Sequence, residues 1–150
     1  MTTEFATNFL ENLAASANRR DHAAHMDLIS RRVAVHGVPG FAVIGYDDWA
    51  RQCKHEFETG LLKSVSYTGM KVLVSTSSRI MFKTIETVAG TDGSENRMGV
   101  EIVIEKEEND RWRITQERIL PPAEVQYDGL AGSTADQGDI LDPRIVADKA

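Results

Sequence analysis

The sequence predicts one α+β domain in which a curved antiparallel sheet wraps around three helices from the N-terminal half of the chain. Helical periodicity dominates the first part of the chain, and strand-like alternation dominates residues 63–120. Glycine- and proline-rich turns separate the segments. A chain of 150 residues, 41% of them hydrophobic, is long enough to bury a single core of ordinary size.

Two helices are predicted before the first proline. Apolar side chains recur every fourth position from Phe5 to Ala17, which predicts a helix over residues 4–17 with an apolar stripe. The polar run at residues 18–20 interrupts that stripe, and residues 21–30 predict a second, shorter helix. The two segments together form a helical hairpin or one bent helix.

A third helix is predicted after a short extended region. Residues 33–44 favour two short extended segments around a Pro-Gly corner. The helix then begins near Asp47, whose side chain can cap its first turn. Trp49, Cys53 and Phe57 follow at helical spacing, and Gly60 is a suitable stop. The buried stripe of this helix is therefore aromatic.

Four strands are predicted in the second half. In residues 63–76 the apolar positions change parity at Gly69, which indicates a β-bulge or a sharp bend. Residues 79–89 predict a partner strand that is covered on both faces for part of its length. The last two strands lie within residues 97–120 and are joined by a charged turn.

The parity of the last two strands predicts which side chains face the core. Alternate apolar positions from Met98 to Ile104 fall on one face, and Trp112 and Ile114 continue it in the final strand. Counting onward at a period of two places Gln116 and Arg118 on the same inward face. Because a buried polar group without a partner costs ~1–3 kcal/mol, this pair is expected to line an internal cleft.

Charge and composition exclude several classes of protein. The net charge of −6 repels a phosphate backbone, so nucleic-acid binding is not expected. The single cysteine, Cys53, excludes an internal disulfide and favours a reducing compartment. Neither a signal peptide nor an apolar run of membrane-spanning length is present, so a soluble cytoplasmic protein with no membrane partner is predicted.

The composition changes at Pro121 and Pro122. Beyond them, residues 123–150 hold six acidic and two basic side chains and too few apolar ones for a core. We therefore predict a domain over residues 1–122 and an acidic extension over residues 123–150, either loose or packed on the domain or on a second subunit.

The order of these elements resembles the NTF2-like superfamily, and within it the SnoaL-like group. The resemblance covers residues 4–120 and rests on the helix pair, on two loose motifs and on the run of strands. The first motif is the segment VAVHGVPG leading to GYDDW, and the second is DRWRIT in the last strand. It implies a cone-shaped cavity between sheet and helices, a homodimer made through the sheet, and either an enzyme of the isomerase, dehydratase or hydrolase kind or a non-catalytic module.

Enzymes of this superfamily place an acid or a base on the cavity wall. Gln116 cannot act as a base, and Arg118 is permanently protonated, so these two side chains suit the binding of a carbonyl or a carboxylate. The best candidate for a base is His25 on the second helix, with Asp21 one turn earlier to orient it. The alternative is a surface histidine with a weak helical partner.

The remaining candidates concern ligand contacts and metals. Tyr46, Trp49, Tyr67 and Trp112 are candidate contacts for a flat ligand, although aromatic residues at such spacing also form plain core. His22 precedes His25 by three residues, but no third ligand has suitable spacing, so no metal site is predicted. No phosphate-binding loop or nucleophile elbow occurs, and no cofactor is predicted.

Three functions remain open at this point. The first is a homodimer that binds a small apolar or aromatic carbonyl or carboxylate ligand. The second is an enzyme that uses His25 and Asp21 as an acid–base pair on a hydrophobic small molecule. The third is a dimerisation module whose cavity is filled by its own side chains.

Overall fold

The computed structural model describes residues 2–130. This part of the chain forms four α-helices, one short 3-10 helix and five strands. The helices are α1 (Thr2–Asn18), α2 (His22–Met26), α3 (Tyr46–Thr59) and α4 (Pro122–Tyr127). The strands are β1 (Ile29–His36), β2 (Leu62–Ser75), β3 (Arg79–Gly90), β4 (Glu95–Lys106) and β5 (Trp112–Ile119).

The strands form one sheet in the order β1-β5-β4-β3-β2. β2 to β5 follow one another as an antiparallel meander, and β1 joins the far edge by pairing parallel to β5. The helices α1, α2 and α3 cover one face of this sheet, which we call the inner face. The α+β architecture predicted from the sequence is confirmed.

The main core lies between the inner face and these three helices. The alternate side chains of β4 that were expected to be inward, from Met98 to Ile104, are all buried in it. Leu13 of α1 and Trp49 of α3 reach the same core from the helix side. The apolar residues that recur about every four positions in the helices and every two positions in the strands therefore pack together in one interior.

Several predicted boundaries shift in the structure. The second helix was predicted to run to Ser30, but β1 begins at Ile29 and α2 is only one turn long. The predicted extended pair reduces to β1 and one isolated bridge between Val35 and Ile44. α3 begins at Tyr46, so Asp47 lies in its first turn and does not cap it.

The strands of the sheet shift register at several points, and two of these shifts bear on the predictions from the sequence. The irregularity predicted at Gly69 is present: the register of β2 shifts between Thr68 and Lys71, and Gly69 has a φ of +74°. A second register shift, which the sequence analysis did not predict, lies in β5. Ile104 is opposite Ile114, whereas the adjacent Val103 is opposite Gln116, so Thr115 is an extra residue.

The bulge at Thr115 reverses the parity of everything that follows it in β5. Ile102 on the inner face is paired with Glu117, and Glu101 on the outer face is paired with Arg118. The prediction that Gln116 and Arg118 face the interior is therefore wrong. Glu117 takes the inward position and is only 1% exposed.

The start of the acidic extension packs on the outer face of the sheet. Val125 and Leu130 form a small second core with Ile85 and Leu120. Gly99 makes room for this contact, because a Cβ atom there would lie 2.3 Å from Cγ2 of Val125. Residues 131–150 of the predicted extension lie outside the described residues. Within residues 2–130, no helix combines the length and the apolar character needed to cross a membrane.

Candidate functional site

A small cavity lies between the inner face of the sheet and the helices. Its volume is about 30 Å³. The lining is mostly apolar but contains four side chains that can exchange or share protons, contributed by α2, α3, β2 and β3. These four are His25, Glu56, Tyr67 and Glu86.

The hydrogen bonds of His25 fix its orientation. The Ser16 hydroxyl donates to the carbonyl oxygen of Leu13 at 2.8 Å, so its oxygen is left to accept from Nδ1 of His25 at 3.0 Å. Nε1 of Trp49 donates toward Nε2 of His25 at 3.4 Å. This network assigns the proton of the neutral ring to Nδ1 and leaves the lone pair of Nε2 on the side of Trp49.

The opposite wall of the cavity is formed by the sheet. Tyr67 on β2 and Glu86 on β3 are directly paired in the register. The Tyr67 hydroxyl donates to Oε2 of Glu86 at 2.8 Å. Its oxygen therefore presents lone pairs, and Glu86 is held as a hydrogen-bond acceptor.

The fourth polar group comes from α3. Glu56 is 4% exposed and lies on the same side of the helix as Trp49, Cys53 and Phe57. Glu86 is also 4% exposed. The described lining residues include these two glutamates and no lysine or arginine, so the polar part of the cavity consists mainly of acceptors.

Three of the eight side chains proposed from the sequence line this cavity. They are His25, Trp49 and Tyr67. The structure brings them together because α2, α3 and β2 converge at the same end of the core. The cavity lining does not include Asp21, Tyr46, Trp112, Gln116 or Arg118.

The proposed pairing of Asp21 with His25 is wrong. The carboxylate of Asp21 caps α2 by accepting from the backbone nitrogen of Ala24 at 3.1 Å. Ser16, a residue of α1, contacts Nδ1 of His25 instead. Asp21 directly precedes the single turn of α2, and its side chain caps the start of that turn.

Two of the proposed aromatic contacts lie elsewhere. The ring of Tyr46 stacks under the guanidinium of Arg31, 4.6 Å from its centroid, at a polar surface pocket. Trp112 packs edge-on against Phe5 of α1, with the ring centroids 5.0 Å apart. Both aromatic side chains therefore have structural roles that the sequence analysis left as an alternative.

Arg118 lies on the outer face, in an ion-pair cluster with α4. Its guanidinium contacts Glu101 at 3.1 Å and Glu124 at 2.7 Å. Lys83 joins the cluster by contacting Glu124 at 2.8 Å and Asp128 at 2.6 Å. Hydrogen bonds from Arg118 and then Lys83 lower the pKa of Glu124 to about 2. This cluster anchors α4 and does not face the cavity.

Glu56 and Glu86 were missed by the sequence analysis, although both carry a signal. Glu56 follows Trp49 by seven residues, which places it on the predicted apolar stripe of α3. Glu86 has the same parity as Phe82 and Val88 in β3. A charged residue at a position that periodicity assigns to the core is a better indication of a site than one on a solvent-facing position.

A scan against models of protein families finds no match to this chain, and a search of curated proteins finds none. Solved structures do match. An NTF-2 like protein of unknown function from Shewanella oneidensis aligns with a TM-score of 0.67 and 17% identity, over 79% of this chain and 98% of its own. The chain has an NTF2-like fold.

Two further structures with this fold show how diverse its members are. An NTF2-like protein from Cytophaga hutchinsonii aligns with a TM-score of 0.63 and 9% identity, over 79% of this chain and 97% of its own. A putative scytalone dehydratase from Novosphingobium aromaticivorans also aligns with a TM-score of 0.63 and 9% identity, over 79% of this chain and 83% of its own. The resemblance predicted from the sequence is confirmed for the fold, and similarity at this level of identity does not transfer an activity.

Proposed function

We propose that this NTF2-like chain is an enzyme of the dehydratase or isomerase kind in which His25 moves a proton of a small organic substrate. The observation that carries the proposal is the imidazole of His25, which is held in one tautomer at the wall of a buried cavity. In this tautomer the Nε2 lone pair accepts from Nε1 of Trp49 at 3.4 Å, a long contact that must give way before Nε2 can take a substrate proton as a general base. The dehydratase-named structure with the same fold is consistent with this class of reaction.

The first step shared by both reactions is removal of a proton from the carbon next to a carbonyl group. Nε2 of His25 takes that proton, and the electron pair moves into an enolate. In a dehydratase, the bond from the neighbouring carbon to its hydroxyl then breaks, and the proton held by His25 leaves with the hydroxyl as water. In an isomerase, the same proton returns to a different carbon of the substrate.

The polar lining selects the charge of the substrate. Two glutamates and the Tyr67 oxygen present acceptors, and no lysine or arginine is among the described lining residues. A substrate carboxylate would find no lysine or arginine to pair with among the described lining residues, whereas a hydroxyl or an ammonium group would donate to these oxygens. We therefore replace the carboxylate ligand expected from the sequence with an uncharged or cationic one.

The binding part of the proposal is tested with ligands matched in size. Ligand-observed NMR would compare cyclohexanol, cyclohexylamine and cyclohexanecarboxylate against the full chain. Binding of the alcohol or the amine in preference to the carboxylate is expected. Preferential binding of the carboxylate, or an unchanged preference for the alcohol and the amine after Glu56→Gln and Glu86→Gln are combined, would contradict the proposed charge selection.

The chemical part is tested without knowing the natural product of the reaction. A panel of small β-hydroxyketones would be incubated with the chain in D₂O, and the loss of the proton next to the carbonyl would be followed by ¹H NMR. Protein-dependent exchange or loss of water supports the proposal. A panel that binds in the cavity but exchanges no faster than in buffer would favour a binding protein without catalytic activity.

The predicted homodimer through the sheet remains a proposal. α4 covers part of the outer face at Gly99, so a partner that packs on this face must include α4 in its interface. Sedimentation of the full chain at low concentration measures this directly, and a mass near 16.6 kDa would show a monomer.

A further inference from the structure

The cavity is too small for the substrate that its polar groups suit. About 30 Å³ is room for two or three water molecules, since a single water needs ~10–15 Å³ on the same measure. Pockets that hold organic ligands are usually ~300–1,000 Å³. A substrate can therefore reach His25 only if the cavity opens into a larger space.

Such a space lies directly beside it. A groove of about 490 Å³ runs between α1 and the edge strand β2. Its lining combines an apolar floor with a polar rim: Thr7, Leu10, Glu11, Ala14, Ala15, Asn18, Val65, Ser66, Tyr67, Gly69, Met70 and Thr84. Val65 and Tyr67 line both the groove and the cavity, so these two side chains form the wall between them.

The two wall residues are held differently. The side chain of Asn18 bonds both backbone groups of Val65, accepting from its nitrogen at 2.7 Å and donating to its oxygen at 3.2 Å. This contact fixes the backbone of β2 to α1 at Val65. Tyr67 is held across the wall by the hydrogen bond from its hydroxyl to Glu86. A change in the rotamer of Tyr67 needs no movement of the strand.

We infer that the groove between α1 and β2 is the outer part of the substrate site and that Tyr67 is the gate between groove and cavity. The inference rests on the proposed function for the chemistry at the inner end. The ligand is an elongated molecule with an apolar body in the groove and a hydroxyl or amine at the inner end. Among the described groove residues the one charged side chain is Glu11, so this outer part also favours an uncharged or cationic ligand.

The chain contains its own reporter of access to the cavity. Cys53 is the single cysteine, is 2% exposed and lines the cavity. Its rate of reaction with methyl methanethiosulfonate, a small uncharged thiol reagent, measures how often the cavity opens. No substrate is needed, so this experiment can succeed even if the proposed reaction is wrong.

The decisive variant is Tyr67→Ala, and Tyr46→Ala is its matched control because Tyr46 lies at a different pocket. We expect Tyr67→Ala to accelerate the modification of Cys53 at least tenfold and Tyr46→Ala to leave it within twofold of the unaltered chain. Adding Ala15→Trp to Tyr67→Ala fills the groove and should reverse most of the acceleration. Equal rates for Tyr67→Ala and Tyr46→Ala would overturn the gate.

Unfolding is a competing route to Cys53 and is separated by denaturant. Modification through the open gate should be insensitive to low concentrations of urea, whereas modification through global unfolding should rise steeply with urea. A steep rise in the Tyr67→Ala variant would overturn the inference. If Tyr67→Ala does not fold, Tyr67→Phe keeps the ring, removes the bond to Glu86 and should give a smaller acceleration of the same kind. An acceleration that persists with Ala15→Trp would exclude the groove as the route.

Discussion

The two faces of the sheet use carboxylates in opposite ways. On the outer face, Glu101, Glu124 and Asp128 each contact Lys83 or Arg118, and the resulting cluster attaches α4 to the strands. On the inner face, Glu86 accepts from a tyrosine hydroxyl at the wall of a cavity whose described lining holds no lysine or arginine.

The contrast is sharpest within β3. Lys83 and Glu86 are three residues apart, and because side chains alternate along a strand they point to opposite faces. One joins a cluster of opposite charges, where hydrogen bonds and Coulomb attraction both contribute to stability. Glu86 lines the cavity, whose polar groups are mainly hydrogen-bond acceptors. Within this strand, the face to which a charged side chain points therefore decides whether it stabilises the fold or lines the candidate site.

The largest expected effect is on the inner face. Replacement of the proposed base by His25→Gln should lower the rate of proton exchange on a responsive substrate by ~10²–10⁴-fold, the usual contribution of a general base. Arg118→Gln, on the outer face, should leave that rate within a factor of two. NMR in D₂O measures both.

Thermal denaturation must first show that His25→Gln is folded, because the substitution also removes the contacts with Ser16 and Trp49. A large loss of exchange in Arg118→Gln, with His25→Gln unaffected, would reverse the assignment of the two faces.

The next effect concerns the space at Gly99. A Cβ atom there meets Cγ2 of Val125 at 2.3 Å and Cδ1 of Leu120 at 3.2 Å. Gly99→Ala should therefore lower the free energy of unfolding by ~1–3 kcal/mol, as overpacking usually does. Urea denaturation measures this change.

As a control, Gly99→Ala is also made in a Val125→Ala variant, which lacks the atom that the new Cβ would contact. The cost of Gly99→Ala should be clearly smaller in that background than in the unaltered chain. An equal cost in both would show that α4 does not pack against Gly99.

The smallest effect is the pH dependence of the outer cluster. The pKa of Glu124 is lowered from 4.5 to about 2 by hydrogen bonds from Arg118 and Lys83. A group with a lowered pKa in the folded state contributes its full stability above pH 4.5 and loses it as the pH falls toward about 2. Because the Glu124 side chain is partly exposed to solvent, the contribution is on the order of 1 kcal/mol.

Urea denaturation of Glu124→Gln across this pH range tests the prediction. The variant should be less stable than the unaltered chain at pH 6, and the difference should vanish near pH 2. Glu95→Gln is the control, because Glu95 is exposed and makes no ion pair within residues 2–130. A constant difference across the range would contradict the role assigned to Glu124.

Part of the candidate site could be predicted from the sequence. Helical and strand periodicity placed Trp49 and Tyr67 on buried elements, and the position of His25 beside apolar residues suggested an inward imidazole. Glu56 and Glu86 were within reach of the same reasoning, since both occupy core positions by periodicity.

The position of Gln116 and Arg118 could not be predicted by counting. The bulge at Gly69 could be predicted because glycine tolerates a positive φ, whereas the residue type of Thr115 does not indicate a bulge. The bulge at Thr115 becomes visible only in the pairing of β5 with β4. One unpaired residue was enough to exchange the faces of all residues after it.

The sequence by itself determined the α+β class, the three helices, the four long strands and the apolar interior between them, because these follow from local periodicity and from the number of apolar side chains. Only the tertiary structure decided which polar groups share the cavity. His25, Glu56, Tyr67 and Glu86 come from four different elements, and their meeting depends on strand register and on helix placement. Both are set by pairing between distant segments, and no local pattern in the chain records them.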